Sequence, residues 1–103
     1  LKDRKIMAND GILVVIINID MKKRELLIKP NITTRGFILV NENEELIHKI
    51  ENKAEQIIKN DLQDSKINYT GLKNNITEQL YPYINELTGR KPIILPIILD
   101  IKR

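Results

Sequence analysis

The sequence predicts an α+β domain: a small mixed or antiparallel β-sheet with two α-helices packed on one face, in the order β-β-β-α-α-β. Two observations carry that prediction. Dense runs of β-branched and aliphatic residues, of strand length, occupy residues 12–19 and 93–101, near the two ends of the chain. Between them, two long stretches repeat apolar residues at helical spacing. The 103 residues, 42% hydrophobic and 30% charged, are enough for one domain with a modest core. With four aromatic residues in the whole chain, that core has to be aliphatic.

Residues 1–10 form a charged lead-in with a short helical pattern through Arg4, Met7 and Ala8, which Asp10-Gly11 breaks. Residues 12–19 (ILVVIINI) read as the first strand and residues 20–24 as a charged turn. Residues 25–32 read as the returning arm of a hairpin, with Leu26, Ile28 and Ile32 on one face and Pro30 at an edge or bulge. Thr33, Thr34, Arg35 and Gly36 are expected to turn the chain into a short third strand, residues 37–40. Asn41 with Glu44 makes a capping-box pattern. It precedes an amphipathic helix through Leu46, Ile47, Ile50, Ala54, Ile57, Ile58 and Leu62. Thr70 is placed to cap a second helix with the stripe Leu72, Ile76, Leu80, Tyr83, Ile84 and Leu87, and Gly89 suits its end. Pro82 lies inside that stripe and predicts a kink or, alternatively, a break. Residues 93–101 (IILPIILDI) close the sheet, with Pro96 pointing to an edge or a bulge.

The first and last strands are apolar on both faces. Ile12, Val14 and Ile16 oppose Leu13, Val15, Ile17 and Ile19; Ile93, Leu95, Ile97, Leu99 and Ile101 oppose Ile94 and Ile98. Two helices cover one face only, and a run apolar on both sides calls for cover on both. Either loops and the N-terminal segment supply the second cover, or a second subunit or further domain does. The candidate interface is therefore Leu13, Val15, Ile17, Ile94, Leu95, Ile97 and Leu99, the outward face being undecided at this level.

Composition excludes several kinds of chemistry. There is no cysteine, which removes disulfides, thiolate metal sites and a Cys nucleophile and suits a reducing, cytoplasmic setting. No charge-free stretch reaches about 18 residues, so neither a membrane span nor a membrane partner is expected. His48 is the single histidine, inside the first helix, with no second to share a metal. Ser65 is the single serine, outside any Gly-x-Ser-x-Gly setting. The four glycines are isolated, so no phosphate-cradling loop is present. Glu44/Glu45 and Asp61/Asp64 read as a solvated helix face and loop. No catalytic residue, no metal ligand and no cofactor is expected in this chain.

Net charge is +3, distributed as +4 over residues 1–40, −4 over 41–65 and +3 over 66–103. Lys2/Arg4/Lys5, Lys22/Lys23/Arg24, Arg90/Lys91 and Lys102/Arg103 form basic clusters. Of these, Lys22, Lys23, Arg24, Arg90 and Lys91 are candidates for contact with RNA phosphates. Stacking on unpaired bases needs exposed aromatics, for which Tyr69, Tyr81, Tyr83 and Phe37 are the candidates, Phe37 and Tyr83 reading as core.

Three segments in order resemble the C-terminal end of the ribonuclease J family. They are the lead-in Leu1-Lys2-Asp3-Arg4-Lys5 through Asp10-Gly11 with the strand that follows, Thr34-Arg35-Gly36-Phe37-Ile38, and the distinctive Arg90-Lys91-Pro92-Ile93-Ile94-Leu95-Pro96-Ile97-Ile98. The Leu72-Lys73 pair also fits. Departures are mild: Thr34 where Ser is usual, Tyr69 where Trp is common, Ile93 where Met is common. They suggest a divergent paralogue, some bacteria holding two such proteins in one complex. On this resemblance, residues 1–10 end a linker and residues 11–103 are the C-terminal domain of a longer chain, an arrangement that Leu1 and the charged start suit. The resemblance implies upstream metallo-β-lactamase and β-CASP domains, where two zinc ions activate water to cleave RNA, from the 5′ end and internally, in mRNA turnover and rRNA maturation. For this fragment it implies a non-catalytic role in association and stabilisation. The partners expected are a second copy, a paralogous subunit and the parent's catalytic domains, with RNA for the full-length enzyme. An auxiliary RNA-binding module of the same enzyme is the alternative.

Overall fold

The computed structural model describes residues 11–36 and 44–101. The expected strand at residues 37–40, the Asn41 cap and the lead-in at residues 1–10 lie outside the described residues. The rest is an α+β domain with strands β1 (Ile12–Asp20), β2 (Glu25–Leu26), β3 (Asn31–Arg35) and β4 (Ile93–Asp100) and helices α1 (Glu44–Leu62) and α2 (Tyr69–Thr88). The sheet is mixed. β1 is its centre, pairing antiparallel with β2 and β3 along one side and parallel with β4 along the other.

The hairpin's second arm differs from the sequence reading. It is not one strand over residues 25–32 but two pieces that share one side of β1. Ile19 faces Leu26 in the first piece, and Ile16 faces Asn31 in the second. Between these pairs, β1 supplies two residues and the opposite chain four, so the ladder carries a two-residue bulge. Pro30, which has no N–H to give a ladder, sits buried in it. An even insertion preserves the alternation of faces, so Leu26 and Ile32 still point to the same side. Ile28, expected with them, is lifted into the bulge and exposed. Thr33, Thr34 and Arg35, expected as a turn, belong to β3. Gly36 does adopt the left-handed conformation, φ 70°.

The core lies between the sheet and the two helices. Leu13, Val15, Ile17 and Ile19 of β1, with Ile32 and Ile94, meet Ile50, Ala54, Ile57, Ile58 and Leu62 of α1 and Leu72, Ile76, Leu80 and Ile84 of α2. Truncating any one of these large side chains to alanine costs about 2–5 kcal/mol. Leu87, expected in the α2 stripe, lies on the exposed side near the helix end.

The caps are explicit at α2. Asn68, not Thr70, caps its start, its side chain accepting the Gly71 N–H at 2.7 Å. Gly89 ends it at φ 72°, its N–H bonded to the Asn85 carbonyl at 2.7 Å. The helix runs unbroken through Pro82. Pro82 and Glu78, whose carbonyl loses its donor, are both exposed, so water can satisfy that oxygen. The helices are tied by Asn75 to Asp61 at 3.0 Å and by the Lys53 ammonium, 5.5 Å from the centre of the Tyr83 ring.

Candidate interaction surface

The helices settle which face of the sheet is outward. Leu13, Val15, Ile17 and Ile94 lie beneath the helices, and that part of the candidate interface is corrected: these residues are core. Leu95, Ile97 and Leu99 point the other way and are 45%, 44% and 44% exposed. Ile101 continues the row.

Register builds the surface from that row. Val14 lies beside Leu95, Ile16 beside Ile97 and Ile12 beside Ile93. These partners were missing from the candidate set. On β3 the same face carries Arg35, Thr33 and Asn31, opposite Ile12, Val14 and Ile16. The outer face is thus an uncharged aliphatic strip along β1 and β4, bordered by polar side chains on β3. Asn18 shares this face, next to Leu99. Its parity was the one sequence signal that could have told the outer face from the inner one.

β4 has a free edge as well as a free face, since among the described residues no strand pairs with its other side. The Ile93 N–H reaches the Gly11 carbonyl at 3.0 Å and the Ile101 N–H the Ile19 carbonyl at 2.7 Å. The odd-numbered residues of β4 therefore turn their backbone groups toward β1, and the even-numbered ones turn theirs outward. Pro96 falls among the outward set. It costs the β1–β4 ladder nothing and removes a donor from the edge, which discourages a further strand from adding there. What β4 offers a partner is its face.

The five basic candidates do not form one site. Lys22, Lys23 and Arg24 lie in the β1–β2 turn, whereas Arg90 and Lys91 precede β4, which runs parallel to β1. The length of β1, roughly 26 Å at its usual rise, separates them. Arg24 takes a left-handed backbone, φ 57°, and its guanidinium donates to the carbonyls of Asp64 at 2.9 Å and Ser65 at 2.7 Å. It holds the turn against the loop after α1. The Arg90 N–H donates to Thr88 Oγ1 at 3.0 Å and its carbonyl accepts from Asn85 at 3.1 Å, within the α2–β4 connection.

The other polar candidates lie apart from this surface. His48 is exposed, its Nδ1 3.3 Å from a Glu51 carboxylate oxygen. Among the described residues no group of three or more His, Asp or Glu side chains is placed to hold a metal, and no helix is long and apolar enough to cross a membrane. Tyr69 donates its hydroxyl to Asp100, which raises the tyrosine's pKa above the usual 10.0; some desolvation and the charge of Asp100 act in the same direction.

The model of the Ribonuclease J C-terminal domain matches residues 1–101. The chain belongs to that family. A Ribonuclease J 2 from Staphylococcus epidermidis is 37% identical over 101 residues, and one from Staphylococcus aureus is 36% identical over the same length. Each match covers 98% of this chain and 18% of the relative, so the ribonuclease J domain described here spans about a fifth of the curated relatives it matches.

Proposed function

We propose that this domain is a non-catalytic association and stabilisation module of a ribonuclease J-type enzyme, and that it joins to a second copy through the outer face of the sheet. The observation that carries the reading is the row of four half-exposed aliphatics, three on β4 and Ile101 just past its end, flanked by Ile12, Val14 and Ile16. Burying the exposed parts of that row is worth on the order of a few kcal/mol. A second copy fits because the strip is uncharged: a two-fold contact centred on it brings no like charges together within the strip, Arg35 lying at its border. The polar border on β3 would form the rim of such a contact.

On this reading the parent is a zinc-dependent hydrolase with metallo-β-lactamase and β-CASP domains. It degrades RNA from the 5′ end and internally, in mRNA decay and rRNA maturation, in the cytoplasm. On the same reading the zinc is held by those other domains. The name of the relatives, Ribonuclease J 2, favours a second paralogue, for which a paralogous subunit is an alternative partner.

Sedimentation of the unaltered chain against Ile97→Asp tests the interface. The variant should lose the associated species and keep its thermal transition, because Ile97 points away from the core. Equal mass for the two proteins at every concentration, the unaltered chain remaining a monomer throughout, would sink the reading.

A further inference from the structure

We propose that the β1–β2 turn end of the domain is a contact site for single-stranded RNA, made by the ring of Tyr69 and the ammonium groups of Lys22, Lys23 and Lys66. The choice of RNA among polyanions rests on the reading that the parent is a ribonuclease; the juxtaposition does not.

Three hydrogen-bonded links bring these residues together from separate parts of the chain. One carboxylate, Asp100 at the end of β4, accepts the Met21 N–H at 3.1 Å through one oxygen and the Tyr69 hydroxyl through the other. That places the first residue of α2 against the turn that holds Lys22 and Lys23. Buried Asp20 accepts the Lys23 N–H at 3.1 Å and fixes the turn from within. Arg24, through the Asp64 and Ser65 carbonyls, binds the same turn to the loop that carries Lys66, whose own N–H is held by the Asp64 side chain at 2.9 Å.

The acids and the bases at this end play different parts. Asp20, Asp64 and Asp100 each accept backbone N–H groups of the scaffold, while Lys22, Lys23 and Lys66 are exposed. Tyr69 is 46% exposed, and its hydroxyl anchor restricts the ring before anything binds. A ring held in place loses less freedom when a base stacks on it. Lysines supply the phosphate attraction, and the ring selects unpaired bases over a duplex, whose bases already stack on one another. This site keeps the turn lysines and the stacking candidate Tyr69 of the sequence reading, replaces Arg90 and Lys91 at the opposite end, and adds Lys66.

Fluorescence anisotropy of a labelled oligouridylate, titrated with the chain at low and raised salt, tests the proposal. Tyr69→Ala should weaken binding about 5- to 150-fold, and Tyr69→Phe, which keeps the ring, should weaken it less. Lys22→Gln with Lys23→Gln should lower the slope of log affinity against log salt by about 1.4. Lys91→Gln, at the far end, should leave the affinity unchanged. Absence of binding at low salt, or an equal loss from Lys91→Gln and the turn variants, would overturn it. Sedimentation of the turn variants keeps the two proposals apart: association should persist where RNA binding is lost, and Ile97→Asp should do the reverse.

Discussion

Gly11 shows how tightly single positions are constrained in this domain. It sits at φ 82°, and a Cβ there would lie 2.4 Å from the Arg35 carbonyl oxygen and 2.6 Å from the Gly36 carbonyl carbon. Both obstacles are backbone, so neither can swing aside. Gly11→Ala should cost at least about 1–3 kcal/mol from the left-handed backbone alone, measured by urea unfolding, and the clash should add to that. A neutral result would mean that β1 and β3 do not approach each other as described. Tyr69 gives a prediction of a different kind. Its pKa is raised in the folded state, so the stabilisation from its hydroxyl bond is whole below pH 10.0 and is lost as pH rises through the higher folded value. Unfolding measured on both sides of pH 10 should show a loss of stability that Tyr69→Phe, lacking the proton, shows to a smaller degree. These local details were unevenly legible. Gly36 and Gly89 announced their positive φ as isolated glycines between periodic runs, whereas the cap at Asn68 was masked by Thr70, an equally good capping residue two positions later.

At the scale of elements, β1, β4 and both helices were readable because their periodicity extends over many residues. The returning arm of the hairpin was not. Its alternation of apolar residues is regular through residues 25–32, and a two-residue bulge leaves that alternation intact. Pro30 marked the irregularity without revealing its size. The outward face of β1 and β4 was marked in the sequence only by the parity of Asn18, because isoleucine and valine occupy both parities and the helices' choice of side is a long-range packing matter. The corrected orientation yields a direct contrast within one strand pair. Ile17→Ala, beneath the helices, should cost about 2–5 kcal/mol, while Ile97→Ala, on the outer face of the neighbouring strand, should change the stability of the dissociated domain far less. Denaturant titration at low protein concentration measures both. Comparable losses would mean that β4 is covered on both faces within one chain.

Among the described residues the molecule is a two-layer domain whose sheet is greasy on both sides, covered by helices on one and uncovered on the other. Its edge strand carries Pro96 where a pairing donor would point outward, and four aliphatics where a packing face would be. That combination favours stacking of faces over addition of strands. The expectation of no catalytic residue rested on composition, since one histidine, one serine and no cysteine leave little to assemble. The location of the proposed partner surface needed the fold. A methyl NMR dilution series on the isoleucine- and leucine-labelled chain tests it most directly. Signals of Ile16, Leu95, Ile97 and Leu99 should shift with protein concentration, and those of Ile58 and Leu80 in the core should not. Concentration-independent signals across the outer face, or shifts confined to some other surface, would contradict the account.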